Sequence, residues 1–200
     1  MKEVMSEVST SDEELVARSQ AGSTEAFACL VRRYQDYVHN AVVHLIGHGP
    51  EVEDFTQEVF MKAYRGLDGF KGRSRFSTWL YGIMLNCVRS HWRRQGRAPR
   101  MMSLEAGGDA DTSPPDPPAA PATGPMEQVL KKERVEVVRR CIRKLQRNLR
   151  EVLVLRDIQG LPYSDLAETL DVPLGTVKSR LARARRALKE ELEPVLGEEL

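Results

Sequence analysis

Polar and cationic side chains between residues 176 and 186 have the chemistry needed to bind nucleic acid. The apolar residues Val177, Leu181, Ala184 and Leu188 recur at spacings of three and four, which predicts a helix with one buried side. Its outer face would carry Thr176, Lys178, Ser179, Arg180, Arg183, Arg185 and Arg186. Early side chains of such a helix reach base edges in a DNA major groove, while later arginines contact phosphates. A solvated basic helix is the alternative interpretation.

A short apolar pattern and a tight turn precede this cationic helix. Leu166, Ala167 and Leu170 fall on one helical face, and Pro173 suits a first helical turn, where no N–H is needed. Residues 163–188 are therefore predicted to form a helix-turn-helix, which favours DNA binding over a merely solvated helix.

A second concentration of positive charge lies in the first half of the chain, although the net charge is only +1. Residues 65–100 carry nine Lys and Arg residues against the single acid Asp68, whereas residues 101–125 carry four acids and no cation. The basic segment, residues 65–100, includes a Gly-rich loop over residues 66–75 and a predicted helix over about residues 77–94. Two basic segments separated by an acidic one are typical of a chain that touches DNA at two surfaces.

Helical periodicity also accounts for the segments that precede this loop. It predicts helices that begin after Ser11, after Ser23 and at Glu51. The last of these has an inward seam of valines and Phe55, and an acidic outer face suited to docking: Asp54, Gln57, Glu58 and Met61. A solvated face is the alternative.

Composition divides the chain into two globular parts. The chain is 41% hydrophobic and 30% charged, as globular proteins are, and no apolar run approaches the ~18 residues of a membrane span. Acids near the N-terminus argue against a signal peptide, so a cytoplasmic protein is expected. Residues 101–125 hold six prolines and three glycines and cannot build a core. Cys29, Cys87 and Cys141 lie in apolar helical patterns, which predicts core thiols.

These patterns predict an all-α fold with two small helical domains, over residues 10–96 and 126–195. A flexible, acidic, Pro-rich linker is expected over residues 97–125. A linker of this length has a root-mean-square span of ~30 Å. It would therefore let the two domains reach DNA elements more than one helical turn apart.

Two long motifs of the chain are similar to a known family, the bacterial extracytoplasmic-function sigma factors. Region 2 of that family resembles EDFTQEVFMKAYRGLDGFKGRSRFSTWLYGIMLNCVRSHWRR, and region 4 resembles LPYSDLAETLDVPLGTVKSRLARARRAL. The resemblance implies an alternative sigma factor that binds RNA polymerase core and promoter DNA, and it implies an anti-sigma partner. It also implies that Asp54, Gln57, Glu58, Phe60 and Met61 contact polymerase, with core packing as the alternative for Phe60.

The resemblance also assigns the two basic segments to two promoter elements. It places the recognition helix on the upstream −35 element. It places the loop and the following helix on the −10 element, through Phe70, Lys71, Arg73, Ser74, Arg75, Asn86, Arg89, Arg93 and Arg94. A loop with an aromatic residue and cations suits capture of an unstacked base. Trp79 is expected in the core, and Trp92 is either a helix-end anchor or a partner for single-stranded DNA. Many relatives have Ser in place of Pro162, which alters how the first helix of the helix-turn-helix is capped.

Other classes of protein fit the sequence less well. An enzyme is disfavoured, because the sequence has no phosphate-binding Gly loop, nucleophile elbow or cysteine pair at metal spacing, and no cofactor is expected. His44 and His48 are four residues apart but lack a third metal ligand. A free-standing helix-turn-helix regulator is the main alternative, and it would have no use for a polymerase-docking helix. An adaptor that binds acidic partners is a further one.

Overall fold

The computed structural model describes residues 10–97 and 125–196, and within them the chain is helical with no strand. The helices of the first range are α1 (Asp12–Gln20), α2 (Thr24–Ile46), α3 (Glu51–Gly66), a 3-10 turn (Leu67–Gly69) and α4 (Phe76–Arg97). Those of the second are α5 (Pro125–Lys144), α6 (Arg147–Leu153), a π-helical turn (Val154–Ile158), α7 (Tyr163–Leu170) and α8 (Leu174–Leu196). The all-α prediction is confirmed, while most of the expected linker lies outside the described residues.

Capping residues begin and end several of these helices where the sequence predicts it. The Ser11 hydroxyl accepts a hydrogen bond from the Glu14 N–H at the start of α1, and Ser23 does the same for Ala26 in α2. Gly160 has φ +74° after the π-helical turn, a left-handed conformation that glycine adopts without steric cost.

Helices α1, α3 and α4 pack around the long α2. Leu30, Leu45, Leu80 and Met84 are fully buried there, and burial of one such side chain stabilises the fold by about 1.5–3 kcal/mol. The three cysteines are buried free thiols, as predicted.

In the second half, α6 and α7 pack against the first turns of α8. Val177, Leu181 and Ala184 form the buried side of α8, as the spacing predicts, and Leu188 is partly buried. On α5, Cys141 and Ile142 are buried, whereas Val138, one turn earlier, is 37% exposed.

The two helical halves pack directly against each other, and their buried apolar side chains form one continuous core. The contact surface between residues 10–97 and residues 125–196 is called the seam below. It joins α4 to α7, and α2 to α5 and to the π-helical turn. The hydrogen bonds of Arg89 with Glu151 also join α4 to α6. The seam matters for function because it lies beside several of the predicted DNA contacts.

Candidate nucleic-acid and protein interfaces

The turn between α7 and α8 fixes the start of the cationic helix. Asp171 adopts a left-handed conformation with φ 53°, which a short polar side chain tolerates. The Pro173 carbonyl then accepts hydrogen bonds from the N–H groups of Thr176, at 2.8 Å, and Val177, at 3.1 Å. These contacts confirm the helix-turn-helix.

The predicted base-reading and phosphate-binding side chains lie on the solvent side of α8. Lys178, Ser179, Arg183, Arg185 and Arg186 are exposed, and Thr176 and Arg180 are half-buried. Arg185 is nevertheless engaged, because its guanidinium donates two hydrogen bonds to the Asp157 carboxylate, at 2.9 and 2.7 Å. A phosphate would have to replace Asp157 as the partner of Arg185.

The basic loop, residues 66–75, is held at its start by one glutamine. The Gln20 side-chain amide donates to the carbonyls of Leu67, at 2.8 Å, and Phe70, at 2.9 Å. The ring centres of Phe70 and Trp79 are 5.0 Å apart, and the Phe70 ring packs edge-on to Phe76. Both Phe70 and Trp79 are therefore partly buried. The sequence offers no signal for the role of Gln20, because its partners are backbone atoms 47 and 50 residues away.

A groove of about 680 Å³ opens beside the basic loop. Lys71, Arg73, Ser74 and Arg75 line one side of it, together with Phe70. The other sides carry acids from two helices: Asp12 and Glu13 of α1, and Asp165 and Glu168 of α7. The groove therefore combines an aromatic ring, cations and acids in one cleft.

The outer residues of α4 differ in their exposure and in whether an ion pair already engages them. Asn86, Arg93 and Arg94 are exposed, and Arg93 donates to the Ser90 hydroxyl at 2.7 Å. Arg89, in contrast, donates two hydrogen bonds to the carboxylate of Glu151 in α6, at 2.9 and 2.7 Å. This ion pair raises the pKa of Arg89 further above its usual range, and it occupies the guanidinium that the sequence assigned to DNA.

Glu151 is a functional candidate that the sequence reasoning missed. It is only 4% exposed, and it stands within the apolar stretch of residues 149–155. A carboxylate within such a stretch is a signal that could have been used, because buried acids need a charged or hydrogen-bonding partner.

Trp92 is a seam residue in this structure. Its side chain is 5% exposed, and the guanidinium groups of Arg147 and Arg150 lie 5.2 and 5.6 Å from its ring centre. Burial, with Arg147 and Arg143 nearby, lowers the pKa of Arg150 to about 10, so Arg150 stays charged at neutral pH. Of the two roles predicted for Trp92, the helix-end anchor describes this structure.

The outer face of α3 carries most of the residues predicted to dock on polymerase. Asp54, Gln57 and Met61 are exposed, and the half-buried Glu58 pairs with Lys62 at 2.7 Å. Phe60 is different: it is 7% exposed and belongs to the core, since it lies three residues before the fully buried Ala63 on the inner side of the helix. Core packing, the alternative for Phe60, therefore describes its place here.

The two histidines have hydrogen-bond partners of their own. His44 Nδ1 lies 2.8 Å from the Asn40 carbonyl oxygen, and His48 Nε2 accepts from Arg139 at 2.9 Å. Burial, helped by Arg139, lowers the pKa of both histidines. Within residues 10–97 and 125–196, no three His, Cys, Asp or Glu side chains are grouped to hold a metal ion. Across the same residues, no helix has the length and apolar character needed to cross a membrane.

Comparison with known proteins gives the family. Residues 30–98 match the family Sigma-70 region 2, and residues 136–188 match Sigma-70, region 4. The chain is 38% identical to the RNA polymerase sigma-H factor of Pseudomonas aeruginosa over 187 residues, which is 94% of this chain and 96% of the relative. It is also 38% identical to the ECF RNA polymerase sigma-E factor of Escherichia coli K12 over 185 residues, 92% of this chain and 96% of that one.

Solved structures show the same fold. CnrH, in complex with the cytosolic domain of CnrY, matches with a TM-score of 0.67 at 26% identity, covering 92% of this chain and 97% of that chain. The sigma factor RpoE of Bartonella quintana, in complex with the anti-sigma factor NepR, matches with a TM-score of 0.65 at 24% identity, over 85% and 98% of the two chains.

The chain belongs to the extracytoplasmic-function group of RNA polymerase sigma factors. It is therefore an alternative sigma factor, a subunit that directs transcription initiation by RNA polymerase at promoters. Members of this family are initiation factors rather than enzymes.

Proposed function

We propose that the two basic surfaces of this sigma factor read two separate promoter elements. The exposed face of α8 would read the −35 element, with Lys178, Ser179, Arg180 and Arg183 near base edges. Thr176, Arg185 and Arg186 would contact phosphates. The observation that supports this most directly is that α8 buries Val177, Leu181 and Ala184. The helix leaves five of the seven predicted contacts exposed: Lys178, Ser179, Arg183, Arg185 and Arg186.

The basic loop and α4 would bind the −10 element during promoter opening. An unstacked base needs a cleft with a ring to pack against, and Phe70 beside the groove supplies one. Lys71, Arg73 and Arg75 would hold the flanking phosphates, and Ser74 would add a hydroxyl. Along α4, the exposed Asn86 would contact a base, because its amide both donates and accepts, while Arg89, Arg93 and Arg94 would bind the backbone.

The docking face of α3 would hold the polymerase core through Asp54, Gln57, Glu58 and Met61. Met61 is 54% exposed and Tyr64, three residues further along α3, is 48% exposed, and a protein partner would cover this apolar surface. The chain would carry out no bond chemistry of its own, and it would act in the cytoplasm, where the polymerase is.

An anti-sigma factor is the expected regulatory partner, and an environmental or stress signal would release the sigma factor from it. The family resemblance motivates this part of the proposal. The similarity in fold to CnrH, which was solved with the cytosolic domain of CnrY, supports it.

Run-off transcription on a promoter library tests the proposed function. Bacterial core polymerase with this protein is expected to select templates that share two sequence elements. Asp54→Ala with Met61→Ala should reduce specific transcripts at limiting protein concentration, because the docking face loses its contacts. Glu190→Ala, a change at an exposed position on α8, serves as the control and should leave the yield unchanged.

Two outcomes would contradict the proposal. Output that is the same with and without the protein on every template would exclude sigma activity. Sequence-specific DNA binding without any effect on core polymerase would favour the free-standing helix-turn-helix regulator.

A further inference from the structure

Four arginines recur at spacings of four, four and three residues where α5 ends and α6 begins. They are called the arginine stripe below: Arg139, Arg143, Arg147 and Arg150. The first two lie one turn apart on α5, and the last two lie one turn apart on α6. None of the four belongs to the proposed promoter or polymerase contacts, so the stripe is a concentration of charge that the proposed function does not use.

The end of α2 holds the arginine stripe in place. A Cβ added at Gly47 would lie 3.3 Å from the side chain of Arg143, and Arg150 donates to the Leu45 carbonyl at 2.7 Å. Arg150 also donates to the backbone carbonyls of Arg143 and Leu145. Carbonyl oxygens accept these hydrogen bonds but carry no full negative charge, so the positive charge of Arg150 stays uncompensated.

Acidic groups near the arginine stripe are few. Glu136 lies 3.6 Å from Arg139 and 3.4 Å from Arg143, and in the part of the chain that the structure describes it is the one carboxylate paired with the stripe. Four guanidinium groups against one carboxylate leave an excess of three positive charges. Burial, with Arg147 and Arg143 nearby, lowers the pKa of Arg150 to about 10, because like charges lie close enough to repel one another.

Several donors of the arginine stripe are unused. The Nε atoms of Arg139 and Arg150 and the Nη1 atom of Arg143 are buried and have no hydrogen-bond partner among the described residues. Buried donors without a partner cost free energy, which an acceptor that reaches them would recover. The side chains of Arg139 and Arg143 are 18% and 29% exposed, and Arg147 is exposed, so these long side chains can turn toward a ligand at the surface.

We propose that the arginine stripe binds a polyphosphate anion. Linked phosphates carry several negative charges in a small volume, which matches an excess of three positive charges better than a single carboxylate does. Guanidinium groups also bind phosphate oxygens bidentately. Trp92 offers no free ring face to a nucleobase, because it is 5% exposed and lies under Arg147 and Arg150. The ligand is therefore recognised through its phosphates alone.

The test titrates inorganic tripolyphosphate into the full-length protein in the absence of divalent cations. The chain holds two tryptophans, so Trp79→Phe, which keeps an aromatic ring, leaves Trp92 as the reporter. Its emission should change in a saturable way, because the guanidinium groups over its ring turn toward the ligand. The unfolding temperature of the unmodified chain should rise over the same concentrations. Sulfate at the same ionic strength, the control for screening, should reproduce neither effect.

Three arginine variants locate the bound anion. Arg147→Gln should weaken tripolyphosphate binding about tenfold, because one charged hydrogen-bonding group of the stripe is lost. The matched control is Arg140→Gln, which removes the same charge at an exposed position of α5 outside the stripe. Arg183→Gln does so on the recognition helix. Both should leave the midpoint of the Trp92 titration unchanged.

Equal midpoints for Arg147→Gln and Arg140→Gln would overturn the assignment, as would a response that sulfate reproduces. A larger loss in Arg183→Gln than in Arg147→Gln would move the anion to the recognition helix and refute the stripe. Tighter binding of a glutamate-rich peptide than of tripolyphosphate would make the ligand an acidic protein instead. Tripolyphosphate and a nucleoside triphosphate should bind equally, and much tighter binding of the nucleotide would refute recognition through phosphates alone.

Discussion

Arg183→Ala offers a sharp test of how the recognition helix reads DNA. Arg183 is exposed on α8 and makes no hydrogen bond or ion pair with the residues that the structure describes. Its truncation should therefore change the free energy of unfolding by no more than about 0.5 kcal/mol. Any large effect on transcription must then come from lost contacts with DNA rather than from misfolding.

The expected size of that effect follows from the contact that Arg183 would make. A side chain that bonds to a base edge contributes ~1–3 kcal/mol of discrimination, which corresponds to about 5-fold to 150-fold in affinity. The loss of affinity should be large on the preferred −35 sequence. It should be small on a sequence in which the base pair that Arg183 contacts has been replaced. The variant would thus bind the two sequences with more similar affinities than the wild type does.

Arg185→Ala is the matched comparison on the same helix. Arg185 is proposed to bind a phosphate, so its loss should weaken binding to all sequences equally and reduce the salt dependence by about one counterion. Its pair with Asp157 is largely exposed, and breaking it should cost ~0–1 kcal/mol of stability.

The assay is competition binding of holoenzyme to promoter duplexes that carry each single base-pair change in the −35 element, repeated at several salt concentrations. Equal losses on every duplex for Arg183→Ala would show that it contacts only the backbone. A change of sequence preference in Arg185→Ala would refute the division of roles between the two residues.

Three further predictions concern the fold and the seam. Leu166→Ala, at a fully buried position in α7, should lower the free energy of unfolding by ~2–5 kcal/mol in denaturant titration, and a loss below ~1 kcal/mol would contradict its place in the core. Gly160→Ala should cost ~1–2 kcal/mol from backbone strain alone, because φ is +74° and no atom beyond the adjacent residues lies within 4 Å of the added Cβ; an unchanged stability would refute the strain. The packing of the two halves against each other should weaken as the pH falls below about 6.5. Burial and Arg139 lower the pKa of His48, so His48 binds fewer protons when the halves are packed than when they are apart. Energy transfer between one dye on each half of the chain should fall over that pH range, and it should change less in His48→Gln. Transfer that stays constant from pH 8 downward would contradict this prediction.

Local patterns in the sequence were enough to predict the helices. The buried side of α8, the serine caps of α1 and α2, and the turn at Gly160 all follow from spacing and residue type within a few positions. The cationic and acidic outer faces were predicted from the same periodicity, since a helix that buries one side exposes the other.

Contacts between distant parts of the chain were beyond such reasoning. Arg89 and Glu151 are 62 residues apart, and Gln20 meets the basic loop across 47 and 50 residues. Nothing in the periodicity of α4 distinguishes Arg89, which is paired, from Arg93, which is exposed. Trp92 was ambiguous for the same reason, because its burial depends on arginines of another helix.

The clamp of Gln20 on the basic loop has a consequence for how selectively a base is captured. Two carbonyls of the loop are fixed from α1, so part of the backbone ordering that capture requires has already occurred when the protein folds. Ordering a loop at the moment of binding weakens the affinity for every base, whereas a loop ordered beforehand leaves more of the contact energy to distinguish one base from another. Helix α1, which makes no proposed contact with DNA, would in this way help to determine how strictly the sigma factor selects its −10 sequence.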